Sequence, residues 1–153
     1  MRGSVPGLAR AYSAWGEHSA GWVAFGLAGA CLDPTRRGAW LRLSVSAFTA
    51  HAGAVVLKRI VRRPRPDDES VAVLVRTPSD LSFPSAHAAS TTAAACALIP
   101  LVGVPAATAA AVSMALARVL LGVHYPSDVA AGAALGVATA AAISHWGRRG
   151  PLH

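Results

Sequence analysis

Residues 38–66 read GAWLRLSVSAFTAHAGAVVLKRIVRRPRP, an apolar stretch that ends in five positive charges and two prolines. A membrane-spanning helix needs roughly 20 apolar residues, and the part from 38 to 58 supplies them. Basic residues at the end of such a run are typical of a membrane border, where they contact headgroups or set topology. Pro64 and Pro66 are expected to end the helix, because proline lacks the amide that a helix interior requires. The stretch therefore predicts a transmembrane helix with a cationic segment at one membrane face.

The composition of the whole chain agrees with a small membrane protein. Hydrophobic residues make up 54% of the 153 residues and charged residues 14%, and the mean hydropathy is +0.45. This composition leaves too little polar surface to cover a water-soluble globule. The length of the chain predicts a single domain over 1–153. The net charge of +7 raises nucleic acid as a partner. Because the basic residues lie at the ends of apolar runs, we expect instead a lipid bilayer and a membrane lipid as partners, and no nucleic acid.

Four further apolar runs complete a predicted all-α bundle of about five transmembrane helices. The first covers 19–32 and needs residues back to Ala14 to reach spanning length, and the others cover 85–101, 105–121 and 126–146. Prolines at 84, 105 and 126 are expected at first helical positions, which proline suits.

Two further segments leave alternatives open. Residues 4–17 carry apolar side chains at helical spacing, which fits either an interfacial helix or a frayed terminus. Residues 71–75, VAVLV, lie in a polar segment and fit either a strand or a short contact with lipid.

The order of the runs brings three polar segments to one membrane face. Residues 58–65 follow the second run, 84–87 precede the third, and 118–128 join the fourth to the fifth. With five crossings, all three segments open on the same side. If polar residues were scattered at random along the chain, the three segments would not be expected to lie on the same membrane face.

The segment PSAH, residues 84–87, places a histidine at a helix N-terminus. First-turn amides have no partner within the helix, so those of Ser85, Ala86 and His87 would form an anion site that the helix dipole reinforces. A proline-started helix with an interfacial histidine is the alternative that four residues alone leave open.

The segment ARVLLGVHYPSD, residues 117–128, combines Arg118, His124 and Asp128. A charge near the end of a membrane span needs a counter-ion or an anionic ligand. A carboxylate in the first turn of the next helix can accept a hydrogen bond from imidazole Nδ1, which leaves Nε2 as a nucleophile. A helix-capping aspartate and a structural histidine are the alternative. The two cysteines, Cys31 and Cys96, are too few for a zinc site or a disulfide framework.

Together these segments resemble the three-part signature of the type 2 phosphatidic acid phosphatases, the PAP2 family. The resemblance covers residues 58–128 and consists of Lys58 with Arg65-Pro66, then PSAH, then Arg118, His124 and Asp128 in order and spacing. The second motif is usually PSGH, so Ala86 stands where the family has glycine. The additional methyl group narrows the pocket slightly and leaves the backbone amide in place.

The resemblance implies a phosphatase that uses neither a metal nor another cofactor. By similarity, His124 attacks phosphorus to form a phosphohistidine, Asp128 orients it, and His87 protonates the leaving oxygen. The phosphate-binding residues implied are Lys58, Arg65, Ser85, Ala86 and Arg118. Three more arginines of the basic segment match no motif position and are expected to contact a second anionic group or the headgroups: Arg59, Arg62 and Arg63.

A closer resemblance suggests the substrate. The stretches AHAGAVVLKRIVRRPRPD, TPSDLSFPSAHA and LGVHYPSDVA look like a small actinobacterial subgroup of decaprenylphosphoryl-5-phosphoribose phosphatases. This implies hydrolysis of the terminal phosphomonoester of a polyprenyl-linked phosphosugar, for cell-wall arabinan precursor synthesis at the bacterial plasma membrane. Polyprenyl diphosphate, phosphatidylglycerophosphate and phosphatidic acid are the alternative substrates.

Other classes fit the sequence less well. The apolar runs and the short chain argue against a soluble vanadium haloperoxidase, which shares this anion site. A catalytically inert membrane partner would not need the complete set of acid, nucleophile and phosphate ligands. Gly132 and Gly136 have the spacing of a close-packed helix pair, either within one chain or in a homo-oligomer. The membrane face that carries the site is left open.

Overall fold

The computed structural model describes residues 19–66 and 79–147 of the chain. Within these ranges the fold is all-helical, as predicted, and a short 3-10 turn at Pro34–Arg36 joins the first two helices. The five α-helices are α1 (Ala20–Leu32), α2 (Arg37–Val61), α3 (Ala86–Val102), α4 (Val104–Leu120) and α5 (Pro126–Gly147). The predicted interfacial segment 4–17 and the apolar segment 71–75 lie outside the described residues.

Two helix ends differ from the sequence prediction. Helix α2 ends at Val61, before both prolines, because Arg62 adopts the left-handed conformation (φ 54°) and its amide donates to the Lys58 carbonyl. Helix α3 begins at Ala86 rather than at Pro84, with Ser85 as the N-cap residue. Both differences lengthen the non-helical segments that carry the polar motifs.

Small residues let α3 pack closely against its neighbours. Six buried alanines form one core cluster, contributed by α2, α3 and α5: Ala50, Ala54, Ala86, Ala89, Ala93 and Ala140. Gly132 and Gly136 of α5 face the α3 backbone, where a Cβ at Gly136 would lie 2.5 Å from the Ala89 carbonyl oxygen. The glycine pair therefore makes its close contact within one chain, and α5 is held against the start of α3.

The outer surface of the bundle is apolar. Helices spanning 34–61 and 126–147 are long and apolar enough to cross a membrane, and the other three are shorter apolar helices of 13 to 17 residues. Exposed apolar patches of this extent are unusual on a soluble monomer and fit contact with lipid. The most exposed large side chains include Leu32, Phe48, Ile60, Leu120 and Trp146.

An aspartate network joins α1 to α2 at the end of the bundle opposite the polar motifs. Asp33 accepts hydrogen bonds from Thr35 Oγ1 at 2.6 Å, Arg36 Nε at 2.7 Å and Trp40 Nε1 at 3.1 Å. These bonds, that from Thr35 first, lower the pKa of the Asp33 carboxyl to about 2. All partners lie within seven residues of the aspartate, so the network is a local cap of the α1–α2 turn.

Candidate active site

The first two polar segments are joined by Lys58 at the end of α2. Its side chain is 8% exposed, and its Nζ donates to the carbonyl oxygens of Leu81 at 3.0 Å and Ser82 at 2.9 Å. Lysine stays buried only when its ammonium group is satisfied, and here main-chain dipoles rather than a carboxylate satisfy two of its three protons. The ammonium therefore keeps its positive charge available to an anion.

The segment after α2 pairs with the segment before α3. Pro64 and Leu81 form an isolated antiparallel bridge, and the Ser82 amide donates to the Arg63 carbonyl at 2.8 Å. The Ser82 hydroxyl donates to the Pro64 carbonyl at 2.8 Å. These bonds fix the approach of residues 62–66 to the start of α3.

Arg65 connects this pair of segments to the third. Its Nε donates to the Ser79 carbonyl at 2.8 Å, and its Nη1 donates to the Val123 carbonyl at 2.6 Å. The same Nη1 lies 3.4 Å from Nε2 of His124. Burial lowers the pKa of the guanidinium, but an arginine remains charged in proteins. All three polar segments therefore meet around His124, as the order of the apolar runs predicts.

The surroundings of His124 favour one tautomer. The ring is 4% exposed, with Nε2 facing Arg65 and Nδ1 lying 3.6 Å from Oδ2 of Asp128. A guanidinium can only donate and a carboxylate can only accept, so Arg65 and Asp128 together favour a lone pair on Nε2 and the ring proton on Nδ1. The expected hydrogen bond to Asp128 is not formed at 3.6 Å, and Oδ2 accepts from the Tyr125 amide at 2.9 Å.

Electrostatics keep this imidazole neutral. Burial, followed by the positive charges of Arg118, Arg65, Lys58 and His87, lowers the pKa of His124 to about 2. A neutral imidazole with a lone pair on Nε2 is the nucleophilic form of histidine. The cations that hold it neutral are also those that would attract a phosphate group to it.

Ser85 has a structural role at the start of α3. Its hydroxyl accepts from the Ala88 amide at 3.3 Å, and its own amide donates to the Asp128 carbonyl at 2.9 Å. The expectation that the Ser85 amide opens toward an anion is therefore wrong, because that amide fixes α5 to α3. Any anion binding by this turn falls to the positions between Ser85 and Ala88.

The remaining predicted residues occupy two helix ends near His124. Arg118 is 2% exposed in the last turn of α4, and half-buried His87 and buried Ala86 are in the first turn of α3. The charges of Arg118 and His87 both act on His124. The catalytic and phosphate-binding roles of these residues stay predictions.

The three additional arginines do not share one environment. Arg59 and Arg62 are exposed, and Nε of Arg62 donates to the Arg59 carbonyl at 3.1 Å. Arg63 instead reaches α5, where it contacts Asp128 at 3.0 Å and Ser127 at 2.8 Å. Its Nη1 is directed to a buried carboxylate, and the expectation that Arg63 contacts a second anionic group or the headgroups stays a prediction. Nothing in its spacing along the chain indicates a partner 65 residues away.

The donor set suits an anion. Within 19–66 and 79–147, no group of three or more histidine, cysteine, aspartate or glutamate residues could hold a metal ion. The described side chains around His124 are mainly cationic, which suits an oxyanion with several negative oxygens.

Three proteins with assigned names are similar to this chain over most of its length. A protein of Mycolicibacterium smegmatis named decaprenylphosphoryl-5-phosphoribose phosphatase is 59% identical over 124 residues, covering 81% of this chain and 69% of that protein. Two Mycobacterium tuberculosis proteins of the same name are 52% identical over 145 residues, covering 93% of this chain and 82% of theirs.

The fold and the family agree as well. A transmembrane PAP2-type phosphatidylglycerolphosphate phosphatase from Bacillus subtilis superposes with a TM-score of 0.78 at 21% identity, over 100% of this chain and 82% of that one. This likeness shows the fold, and the apolar helices indicate a membrane protein. The model of the PAP2 superfamily matches residues 39–150, which include all three polar segments. The chain therefore belongs to the PAP2 superfamily.

Proposed function

We propose that the protein is an integral membrane phosphatase that removes the terminal phosphate of a polyprenyl-linked phosphosugar of the decaprenylphosphoryl-5-phosphoribose type. The observation that carries this proposal is a buried His124 whose Nε2 lies 3.4 Å from Nη1 of Arg65, in a site where the charges of Arg118 and Lys58 also act on the ring. Relatives of that name at 52–59% identity over most of the chain support the choice of substrate.

The reaction proceeds in two displacements at phosphorus. In the first, the Nε2 lone pair of His124 forms a bond to phosphorus while the bond to the sugar oxygen breaks, and protonated His87 gives that oxygen its proton. In the second, neutral His87 takes a proton from water, whose oxygen replaces Nε2 and releases inorganic phosphate. Both displacements pass through states with negative charge spread over the phosphoryl oxygens, which fixed cations stabilise.

Three cations supply that stabilisation. Lys58 has one ammonium proton beyond the two that bind carbonyls. Arg65 binds carbonyl oxygens through Nε and Nη1, so its Nη2 can face a phosphoryl oxygen. Arg118 adds a third charge from the end of α4. A guanidinium binds two phosphoryl oxygens at once, which fixes orientation as well as charge.

The substrate carries a second phosphate, the diester between sugar and lipid. Only the terminal monoester is cleaved, because its alcohol leaving group accepts a proton from His87 while the diester remains outside the reach of His124. Exposed Arg59 and Arg62 lie on the same membrane face and supply charge for the diester or for neighbouring headgroups. The protein acts as a multi-pass protein of the bacterial plasma membrane.

The test is phosphate release by purified protein in detergent. Decaprenylphosphoryl-5-phosphoribose is compared with undecaprenyl diphosphate, phosphatidylglycerophosphate and phosphatidic acid, with and without EDTA. We expect the highest kcat/KM on the first, no loss with EDTA, and loss of at least about 10³-fold in His124→Ala. Wild-type turnover in His124→Ala would refute the nucleophile, and a higher kcat/KM on another lipid would refute the substrate.

A further inference from the structure

Arg63 is the member of the basic segment whose side chain is anchored on α5. Its Nη1 contacts Ser127 Oγ at 2.8 Å and Asp128 Oδ1 at 3.0 Å, and its guanidinium carbon lies 4.2 Å from the centre of the Tyr125 ring. A planar guanidinium that stacks on an aromatic ring and binds a carboxylate is fixed in both position and tilt. Arg63 is therefore held by Tyr125, which precedes α5, and by Ser127 and Asp128 in the first turn of α5.

The backbone of Arg63 is held as well. Its carbonyl oxygen accepts from the Ser82 amide at 2.8 Å and lies 3.3 Å from the Ser82 hydroxyl oxygen. The side chain thus extends from a point that is fixed to the segment before α3. Arg63 therefore links the backbone at Ser82, just before the second polar segment, to the side chain of Asp128 in the third.

The contact with Arg63 determines how the Asp128 carboxylate is turned. Oδ1 binds Arg63, while Oδ2 accepts from the Tyr125 amide and lies 3.6 Å from Nδ1 of His124. The carboxylate is 0% exposed, so removal of its cationic partner leaves a buried charge that water cannot reach. Such a carboxylate gains by rotating toward another donor, and Oδ2 then leaves the histidine.

We propose that Arg63 is a positioning residue: it holds Asp128 so that Oδ2 faces Nδ1 of His124, which keeps the Nε2 lone pair directed at phosphorus. Its effect on turnover rests on the proposed phosphatase function. Its effect on the tautomer of His124 does not.

Arg63 has the same charge as Arg59 and Arg62 but differs from them in its partner, because it binds the fully buried carboxylate of Asp128. Arg62 is exposed, and its Nε reaches only the Arg59 carbonyl. The matched control is Arg36 at the other end of the bundle, which also pairs with an aspartate, at 2.7 Å. Arg36→Gln and Arg63→Gln each remove one arginine–aspartate pair, but only the second pair adjoins His124.

The kinetic test uses the full-length protein in detergent and whichever lipid phosphate the wild type hydrolyses. We expect Arg63→Gln to lower kcat by about 10- to 100-fold with KM changed less than about threefold, because the bound phosphate is intact and the nucleophile is misdirected. Arg63→Lys should recover part of the loss. In an Asp128→Asn background, Arg63→Gln should lower kcat by less than about twofold. An undiminished effect in that background, or a rise in KM alone, would overturn the proposal in favour of substrate binding by Arg63.

A spectroscopic test is independent of turnover. The protein is labelled with ¹⁵N-histidine, and the His124 signals are assigned by their loss in His124→Gln. We expect the Nδ1-protonated tautomer in the wild type and in Arg36→Gln, and a mixture of tautomers in Arg63→Gln. An unchanged tautomer in Arg63→Gln would refute the positioning role. Failure of the wild type to hydrolyse any of the lipids would refute the proposed function alone, because the tautomer can still be measured in an inactive protein.

Discussion

Asp33 and Asp128, at opposite ends of the bundle, have similar neighbours but different roles. Each lies at the start of a helical segment with an arginine, a hydroxyl residue and an aromatic residue beside it. For Asp33 these are Thr35, Arg36 and Trp40, all close in sequence, and its side chain is 21% exposed. For Asp128 the arginine comes from another polar segment, and the side chain is 0% exposed.

The difference shows what burial and sequence distance add to a charged pair. A local, partly exposed network caps a turn, and such pairs contribute little to stability because water already solvates both charges. A buried carboxylate whose cation comes from 65 residues away requires the whole fold to be assembled. The Asp128 carboxylate is therefore satisfied only when the first and third polar segments have met, which is one condition for the site to exist.

The largest expected effect comes from neutralising each aspartate in turn. Asp128→Asn removes the acceptor that faces Nδ1 of His124, and we expect kcat to fall by on the order of 10²–10⁴, as when a histidine base loses its orienting carboxylate. Asp33→Asn should leave kcat within about twofold, since its contacts end at the α1–α2 turn. Phosphate release by both purified variants measures this, and equal losses would break the comparison.

A smaller effect is expected from filling a glycine near each aspartate. A Cβ at Gly132 would overlap the Ser85 carbonyl, whereas a Cβ at Gly29 would overlap the ring of Trp40. The Ser85 carbonyl is part of the backbone and cannot move away unless α5 separates from α3. Gly132→Ala should therefore lower the free energy of unfolding by about 1–3 kcal/mol and lower activity. Gly29→Ala meets a side chain, which can turn, and should leave activity unchanged. Thermal unfolding and phosphate release are measured for both, and a full-activity Gly132→Ala protein would contradict the tight α3–α5 contact.

The smallest expected effect is a difference in acid sensitivity. The pKa values of Asp33 and His124 are both lowered to about 2, from ordinary values of 3.8 and 6.5. In each case the unfolded chain binds the proton more readily, so stability is lost as pH falls, from 6.5 toward 2 for His124 and only from 3.8 toward 2 for Asp33. Between pH 6.5 and 4, His124 is the one of the two whose titration makes stability depend on pH.

The measurement is the melting temperature between pH 7 and pH 4.5. His124→Gln should melt with a shallower decline than the wild type over this range, and Asp33→Asn should follow the wild type. A decline that is the same in all three proteins would mean that His124 is not held neutral by the fold.

Much of the fold follows from local sequence, and the exceptions are informative. Apolar length and proline positions predicted the five helices to within a few residues, because both are properties of a continuous stretch of chain and need no tertiary contact. The end of α2 at Val61 was missed, since it depends on a left-handed arginine, a conformation that the residue type does not indicate. The start of α3 was missed because Ser85 caps the helix in place of Pro84.

The site was predictable where spacing carries the information. The segments around Lys58, His87 and His124 converge as the order of the runs requires. The partners of Arg63 and of the Ser85 amide were not predictable, because both are contacts across helices whose register only the folded chain defines. Sequence thus identified the groups expected to touch phosphate better than those that hold them in place.

The bridge between Pro64 and Leu81 lowers the entropic cost of assembling the site. Together with the hydrogen bonds of Arg65 to the Ser79 and Asp80 carbonyls, it brings residues 64 and 81 together before α3 begins. This loop closure removes conformational freedom that the chain would otherwise lose when the first two polar segments meet the third. Local backbone pairing therefore pre-organises the cations before any phosphate is bound.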